Sequence, residues 1–281
     1  MSGTIQKYNT FDGIGLTAGA TAGNTIVSGN TGGWSGTPFE FEVSNSGLTW
    51  SQALPHSRGM ASWVCTTAAW AYQGWNLAAP TGTVYVRLYW YPTAISSTST
   101  GNGPSLFKLR EGTGGTSTGA ISIRHTPAGS LIVEDSAGAT KATASPGPTL
   151  NAWNRIELKA VKSSASTNAV GNTFNLRLYA GANADGTTPD YDSGVITGNT
   201  FGTVGTTLGC LWLGPSSNLT NQALMYFDNF AYALDDWVGP VKTKYWTGSV
   251  WKVTKKTRGY TGAAFRPLKI YDGSAWVDPT R

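Results

Sequence analysis

Charge is scarce in this chain: Asp, Glu, Lys and Arg make up 12% of its 281 residues, about half the ordinary share. Helical bundles need Lys and Glu on their exposed faces, so an all-α fold is disfavoured. The two cysteines cannot form a disulfide framework. Cys65 and Cys210 lie in the apolar stretches SWVCT and GCLWL. Buried thiols, in a chain made in a reducing compartment, are expected over a single disulfide between the two. The two histidines, His56 and His125, have no Cys or carboxylate at ligand spacing. No metal site and no cofactor are therefore expected. No apolar run approaches the roughly 18 residues of a membrane span. Met1 to Thr10 holds one Lys and no apolar core, so no signal peptide and no membrane partner are expected.

Glycine and large aromatics are plentiful, with 36 Gly, 12 Trp and 12 Tyr. Gly costs about 1 kcal/mol at each helical position. The aromatic content needs burial, which excludes a disordered chain. These features imply a β-rich globular protein with a hydroxyl- and glycine-rich surface.

The net charge of +5 is local. Residues 1–237 carry 11 Lys and Arg against 13 Asp and Glu, a net of −2. Residues 238–281 carry 9 against 2, a net of +7. The break falls at Gly239-Pro240, a pair that ends helices and strands. The expected organisation is a body over 1–239, with a turn-rich segment at 1–37, and a basic module over 240–281.

Strand signals run through the body. FEFEV (39–43) alternates apolar and acidic residues, and TVYVRLYWY (83–91) is β-branched and aromatic. In the latter, Val84, Val86, Leu88 and Trp90 share one face, and Tyr85, Arg87, Tyr89 and Tyr91 the other. Further strands are expected at 60–66, 105–110, 120–125, 131–135, 153–161, 173–180 and 208–213. Residues 224–232 also fit a helical period, but their aromatic content favours a strand. About ten strands with turn punctuation indicate an all-β, antiparallel jelly-roll sandwich.

The basic module contains a repeat. KYWTGSVW (244–251) aligns with KIYDGSAW (269–276). Thr-Gly and Asp-Gly are hairpin-turn dipeptides, which predicts two short hairpins with aromatics on adjoining strands. Such hairpins are marginal alone and are expected to pack on a partner. The assembly candidates are Tyr245, Trp246, Trp251, Lys255, Lys256, Arg258, Tyr271 and Trp276.

Catalytic signals are few. GTSTG (115–119) matches a nucleophile pattern but lacks the strand-to-helix context. Glu40 and Glu42 share a strand face about 6–7 Å apart, a spacing that suits an acid/base pair for glycoside hydrolysis. A solvated strand face is favoured over that reading. Asp185, Asp190 and Asp192 do not fit calcium-loop spacing. Aromatic faces stack on sugars and bases. The glycan-binding candidates are therefore Tyr85, Arg87, Tyr89 and Tyr91, rimmed by Trp70, Tyr72 and Trp75 in the expected loop WAYQGW.

Several segments carry a family resemblance: NTFDG, NTIVSGNTGGWSG, LTWSQALPHSRGMAS, TVYVRLYWY, AGSLIVEDSAGAT, LNAWNRIELKA, TFNLRLYAG and YFDNFAYALDDWVGP. Together they resemble the concanavalin A-like (laminin G-like) jelly-roll proteins of actinobacterial phages. The G-S-x-W repeat is similar to short modules of such virion proteins. The resemblance implies a non-enzymatic minor tail or fibre component. Its lectin-like domain would contact host-surface glycans, and the chain would form a homo-oligomer and assemble with other virion proteins. The chain would be made in the host bacterial cytoplasm and reside in the virion. The alternatives are a capsid decoration or head-fibre protein, and a glycan-degrading enzyme using Glu40 and Glu42. Nucleic-acid binding through the basic module is disfavoured by the neutral body.

Overall fold

The computed structural model describes residues 3–13, 34–36, 39–43, 48–51, 62–65, 72–94, 97–98, 103–114, 119–202, 205–214, 219–221, 225–241, 244–246, 251–253, 256–257, 270–271 and 276–277. The chain divides into two compact units, Met1–Pro240 and Val241–Arg281.

In the larger unit the strands are, in order, β1 (Ile5–Gly13), β2 (Trp34–Gly36), β3 (Phe41–Val43), β4 (Leu48–Ser51), β5 (Ser62–Cys65), β6 (Tyr72–Thr81) and β7 (Thr83–Pro92). There follow β8 (Ser97–Thr98), β9 (Ser105–Arg110), β10 (Gly119–His125), β11 (Leu131–Asp135), β12 (Thr140–Thr143) and β13 (Asn154–Val161). The last are β14 (Thr173–Tyr179), β15 (Tyr191–Asp192), β16 (Leu208–Leu213), β17 (Leu219–Asn221) and β18 (Met225–Ala233). The first sheet runs β15-β14-β13-β7-β18-β1-β2, with β5 also on β18 and β4 on β5. The second runs β12-β11-β10-β9-β16-β6-β3. All these pairings are antiparallel. The result is the all-β sandwich expected from the strand pattern.

The core lies between the sheets because alternate residues of each strand are apolar. The first sheet contributes Val84, Val86, Leu88 and Trp90 with Ile156, Leu158, Leu176 and Leu178. The second contributes Trp75, Phe107, Leu109, Ile121, Ile123, Val133 and Leu211. Trp75 is fully buried, stacked between Phe39 and Phe230 with ring centroids 5.0 Å from each. Its former place as a rim residue is thereby corrected. Residues 72–81 form an inner strand of the second sheet, and Trp75 lies on its core side.

His125, at the end of β10, also faces inward. It is fully buried, edge-on to Trp90 with ring centroids 4.8 Å apart. Burial pushes its pKa down to about 4, because the imidazolium would lose its water. Between about 6.5 and 4 the unfolded chain binds a proton that the folded chain refuses. Stability is therefore expected to fall by roughly 3 kcal/mol as pH drops through this window. Denaturant melts at successive pH values measure the slope. His125→Phe should flatten it, and an unchanged slope in that variant would refute the assignment.

The smaller unit pairs β19 (Lys244–Trp246) with β20 (Trp251–Val253), and β21 (Lys256–Thr257) with β22 (Ile270–Tyr271) and β23 (Trp276–Val277). Trp246 lies opposite Trp251, and Tyr271 opposite Trp276. The two sequence repeats thus pair their aromatics in the same register.

Candidate functional site

The outer face of the first sheet is occupied by the protein itself. Tyr85 packs with Ala231, Ala233 and Val238, its ring edge-on to Trp237 at 5.7 Å. Arg87 donates from Nε to the Asn229 carbonyl (3.1 Å) and from Nη1 to the Gly239 carbonyl (3.0 Å). Tyr89 is fully buried and donates its hydroxyl to Asp185 Oδ1 at 2.8 Å. Arg155 donates to the carbonyls of Ala184 (2.6 Å) and Gly186 (2.8 Å), lies 3.6 Å over the Tyr179 ring and pairs with Glu157. Tyr91 is half-buried, edge-on to Trp153 and Tyr226.

These groups fasten residues 181–190 and 235–240 across the sheet. The expectation of a sugar groove lined by Tyr85, Arg87, Tyr89 and Tyr91 is corrected on that ground. Burial lowers the Arg87 pKa and raises those of Tyr89 and Glu157. The neighbouring Arg155 and Arg87 charges partly oppose the rise at Glu157. Trp70 lies outside the described residues.

The outer face of the second sheet is different. Phe41, Gly74, Trp212, Lys108, Ser122, Glu134 and Thr140 are successive Cα partners across all seven strands. Neighbouring rows add Arg110 opposite Cys210, and Arg124 opposite Ile132. Tyr72 stacks on Trp212 with ring centroids 3.9 Å apart, and Arg110 lies 3.6 Å over the Trp212 ring. Both faces of that indole are thus covered, and Tyr72 and Trp212 are each 4% exposed. They form a floor that holds the Arg110 guanidinium by cation–π attraction. Trp212 also donates its Nε1–H to the Gly114 carbonyl at 3.3 Å, and the buried Cys210 thiol points to the same oxygen at 3.7 Å. Gly74 is required here, because a Cβ would fall 2.3 Å from the Phe41 ring.

Above this floor stand Lys108, Arg110 and Arg124, each half-buried. Arg124 pairs with Glu134 at 2.5 Å and donates to the Gly103 carbonyl at 3.0 Å, which fixes its direction. Among the described residues the Lys108 amine has no hydrogen-bond or ion-pair partner. Burial pushes its pKa down to about 8, helped by repulsion from Arg124 and Arg110 and opposed by Glu134. Burial raises the Tyr72 pKa, so its hydroxyl stays protonated. The face therefore offers three cations, one of them able to lose its proton near neutrality, and one carboxylate already committed to Arg124.

The remaining sequence candidates do not join this site. Glu40 precedes β3 and pairs with Lys7, and its other oxygen accepts from the Asn76 N–H at 2.7 Å. A carboxylate held in this way is a poor member of an acid/base pair. The Glu42 side chain, and residues 115–118 of GTSTG, lie outside the described residues. Asp185 accepts from Tyr89, Asp190 from the Ala180 N–H and Asn183, and Asp192 pairs with Arg177. These carboxylates hold their own loop. Of the assembly candidates, Lys255 and Arg258 lie outside the described residues, as do the side chains of the others, whose backbone pairings are given above.

Lys108, Arg110, Arg124 and Glu134 were not singled out from the sequence. A signal was present in SLFKLR and ISIRH, where basic residues alternate with apolar ones. Their convergence depends on strand register.

No family model matches the chain, and no curated protein matches it. Solved structures with a similar fold include an alginate lyase from Aplysia kurodai, with TM-score 0.45, 14% identity, and coverage of 69% of this chain and 89% of that one. The alginate lyase Aly36B has TM-score 0.47 and 12% identity, over 83% of this chain and 99% of that one. The cellulose induced protein Cip1 has TM-score 0.47 and 18% identity, over 70% and 90%. Set against the expectation of a non-enzymatic virion protein, the neighbours named here are polysaccharide lyases and a cellulose induced protein, and the likeness is one of fold. Any reading of function has to rest on this chain's own residues.

Proposed function

We propose that the outer face of the second sheet binds an acidic polysaccharide and cleaves it by β-elimination at a uronate unit. The observation that carries this reading is the set of three cations, Lys108, Arg110 and Arg124, brought together on adjacent strands of one face. Hydrolysis needs two carboxyl groups with separate roles. Among the described residues this face supplies only Glu134, which is paired with Arg124. Elimination needs what the face does supply. Arg110 and Arg124 flank Lys108 and would hold the uronate carboxylate by charge-assisted hydrogen bonds. Neutralising that carboxylate acidifies the adjacent C5–H. The neutral Lys108 amine takes the C5 proton, the released electron pair forms the C4=C5 bond, and the C4–O bond breaks. The Lys108 ammonium then returns the proton to the departing oxygen, so that each atom and charge is accounted for.

The reading makes a pH prediction. Lys108 must be neutral to act, and its pKa is held near 8. Cleavage of a polyuronate by the full chain is expected to rise about tenfold per pH unit below that value and to level off above it. Turnover measured on a polyuronate from pH 6 to 10 tests this. A rate independent of pH, or no cleavage at any pH, would overturn it.

A further inference from the structure

The cationic row ends at a pocket of a different character. An open depression of about 430 Å³ lies where β10 turns into β11 beside β12, lined by Thr126, Pro127, Ser130, Ile132, Thr140 and Thr143, of which only Ile132 is buried. Thr140 is the last member of the row that contains Lys108, and Ile132 lies between Arg124 and Thr143. The pocket is therefore continuous with the cationic face. No lining residue is charged. A carboxylate placed there meets no counter-charge among the lining residues. Pro127 and Ile132 offer apolar surface, and four hydroxyls offer hydrogen bonds. Such a mixture suits an uncharged sugar bearing a methyl group on an acyl or amide substituent.

The pocket wall is held in place. The Thr126 N–H donates to the Ser130 carbonyl (2.8 Å), the Ser130 N–H to Thr126 Oγ1 (3.1 Å), and the Gly129 N–H to the Thr126 carbonyl (2.9 Å). Gly129 takes a positive φ of 81° in the same turn. This pre-organisation lowers the ordering cost of binding.

We propose that this pocket is a subsite for a neutral, acyl-bearing sugar unit, about three units along the chain from the uronate at Lys108. The inference rests on reading the cationic face as a polyuronate site. Its spacing follows from geometry. Lys108 on β9 and Thr140 on β12 are three strand steps apart, at about 4.8 Å per step, and each step is close to the length of one sugar unit in an extended chain. The substrate would then be a heteropolymer of charged and uncharged units.

The test compares two oligosaccharides of equal length on the full-length protein. One is made only of uronate units, and the other alternates uronate with an N-acetylated hexosamine. The alternating oligomer is expected to bind about tenfold more tightly, the low end for filling an apolar pocket with one small group. Thr143→Trp should remove that preference by filling the pocket, while leaving the all-uronate oligomer's affinity unchanged. Thermal melts verify that the variant folds, and Thr140→Trp serves as the second filling variant. Equal affinity for the two oligomers, or a preference that survives both variants, would overturn the subsite and leave the cationic site standing. If neither oligomer binds, the uronate reading fails and the subsite fails with it.

Discussion

Lys108→Ala is expected to lower the rate of uronate cleavage by about 10²–10⁴-fold, the range ordinarily lost with a positioned general base. The loss should appear in kcat more than in KM, because Arg110 and Arg124 still hold the carboxylate. Lys108→Arg separates charge from proton transfer. It keeps a cation in the row but cannot deprotonate, so this variant should bind the polymer and still fail to cleave it. Near-normal turnover in Lys108→Arg would remove Lys108 from the proposed role. Steady-state kinetics on one polyuronate, with binding measured separately, distinguish these outcomes.

The second large effect concerns stability. Lys162 and Glu111 form an ion pair in which both side chains are almost fully buried. The Lys162 ammonium also donates to the Phe201 carbonyl at 3.1 Å. Gly202 lets the backbone close over this pair, because a Cβ would fall 2.4 Å from the Glu111 carboxylate. Lys162→Met is expected to cost about 3–5 kcal/mol, because it leaves a carboxylate buried without its counter-charge. Adding Glu111→Gln should recover a substantial part, since the remaining group is neutral. Chemical denaturation of the single and double variants measures both values. A single variant as stable as the parent would show that the pair contributes little.

The two sheet faces differed in how far they were legible. In TVYVRLYWY the strict alternation correctly placed Val84, Val86, Leu88 and Trp90 in the core. The function of the opposite face was not legible, because the covering groups come from far along the chain. Arg87 meets backbone carbonyls 142 and 152 residues away. WAYQGW (70–75) was expected as a loop, and the segment YQGWNLAAPT that follows Ala71 holds Gly, Pro and few β-branched residues. Burial of Trp75 and pairing on both sides make it a strand nonetheless. That one misreading placed Trp75 on a rim. Lys108 and Arg124 each follow a visible alternation, but only register brings them onto neighbouring rows of one sheet face, with Lys108 beside Trp212. The carboxylates at 40 and 42 drew attention because paired acids are the familiar mark of glycan hydrolysis. The structure instead gathers cations.

The most direct test of the central claim is the chemistry of the product. Digestion of a uronate-bearing polysaccharide by the full chain, followed by mass spectrometry of the new ends, distinguishes the two possible reactions. Elimination leaves one fragment with a C4=C5 double bond, lighter by one water than the hydrolytic product, with ultraviolet absorbance from the conjugated carboxylate. That product is expected, and its formation should depend on Lys108. Fragments that have gained a water, or a polymer left intact, would contradict the account.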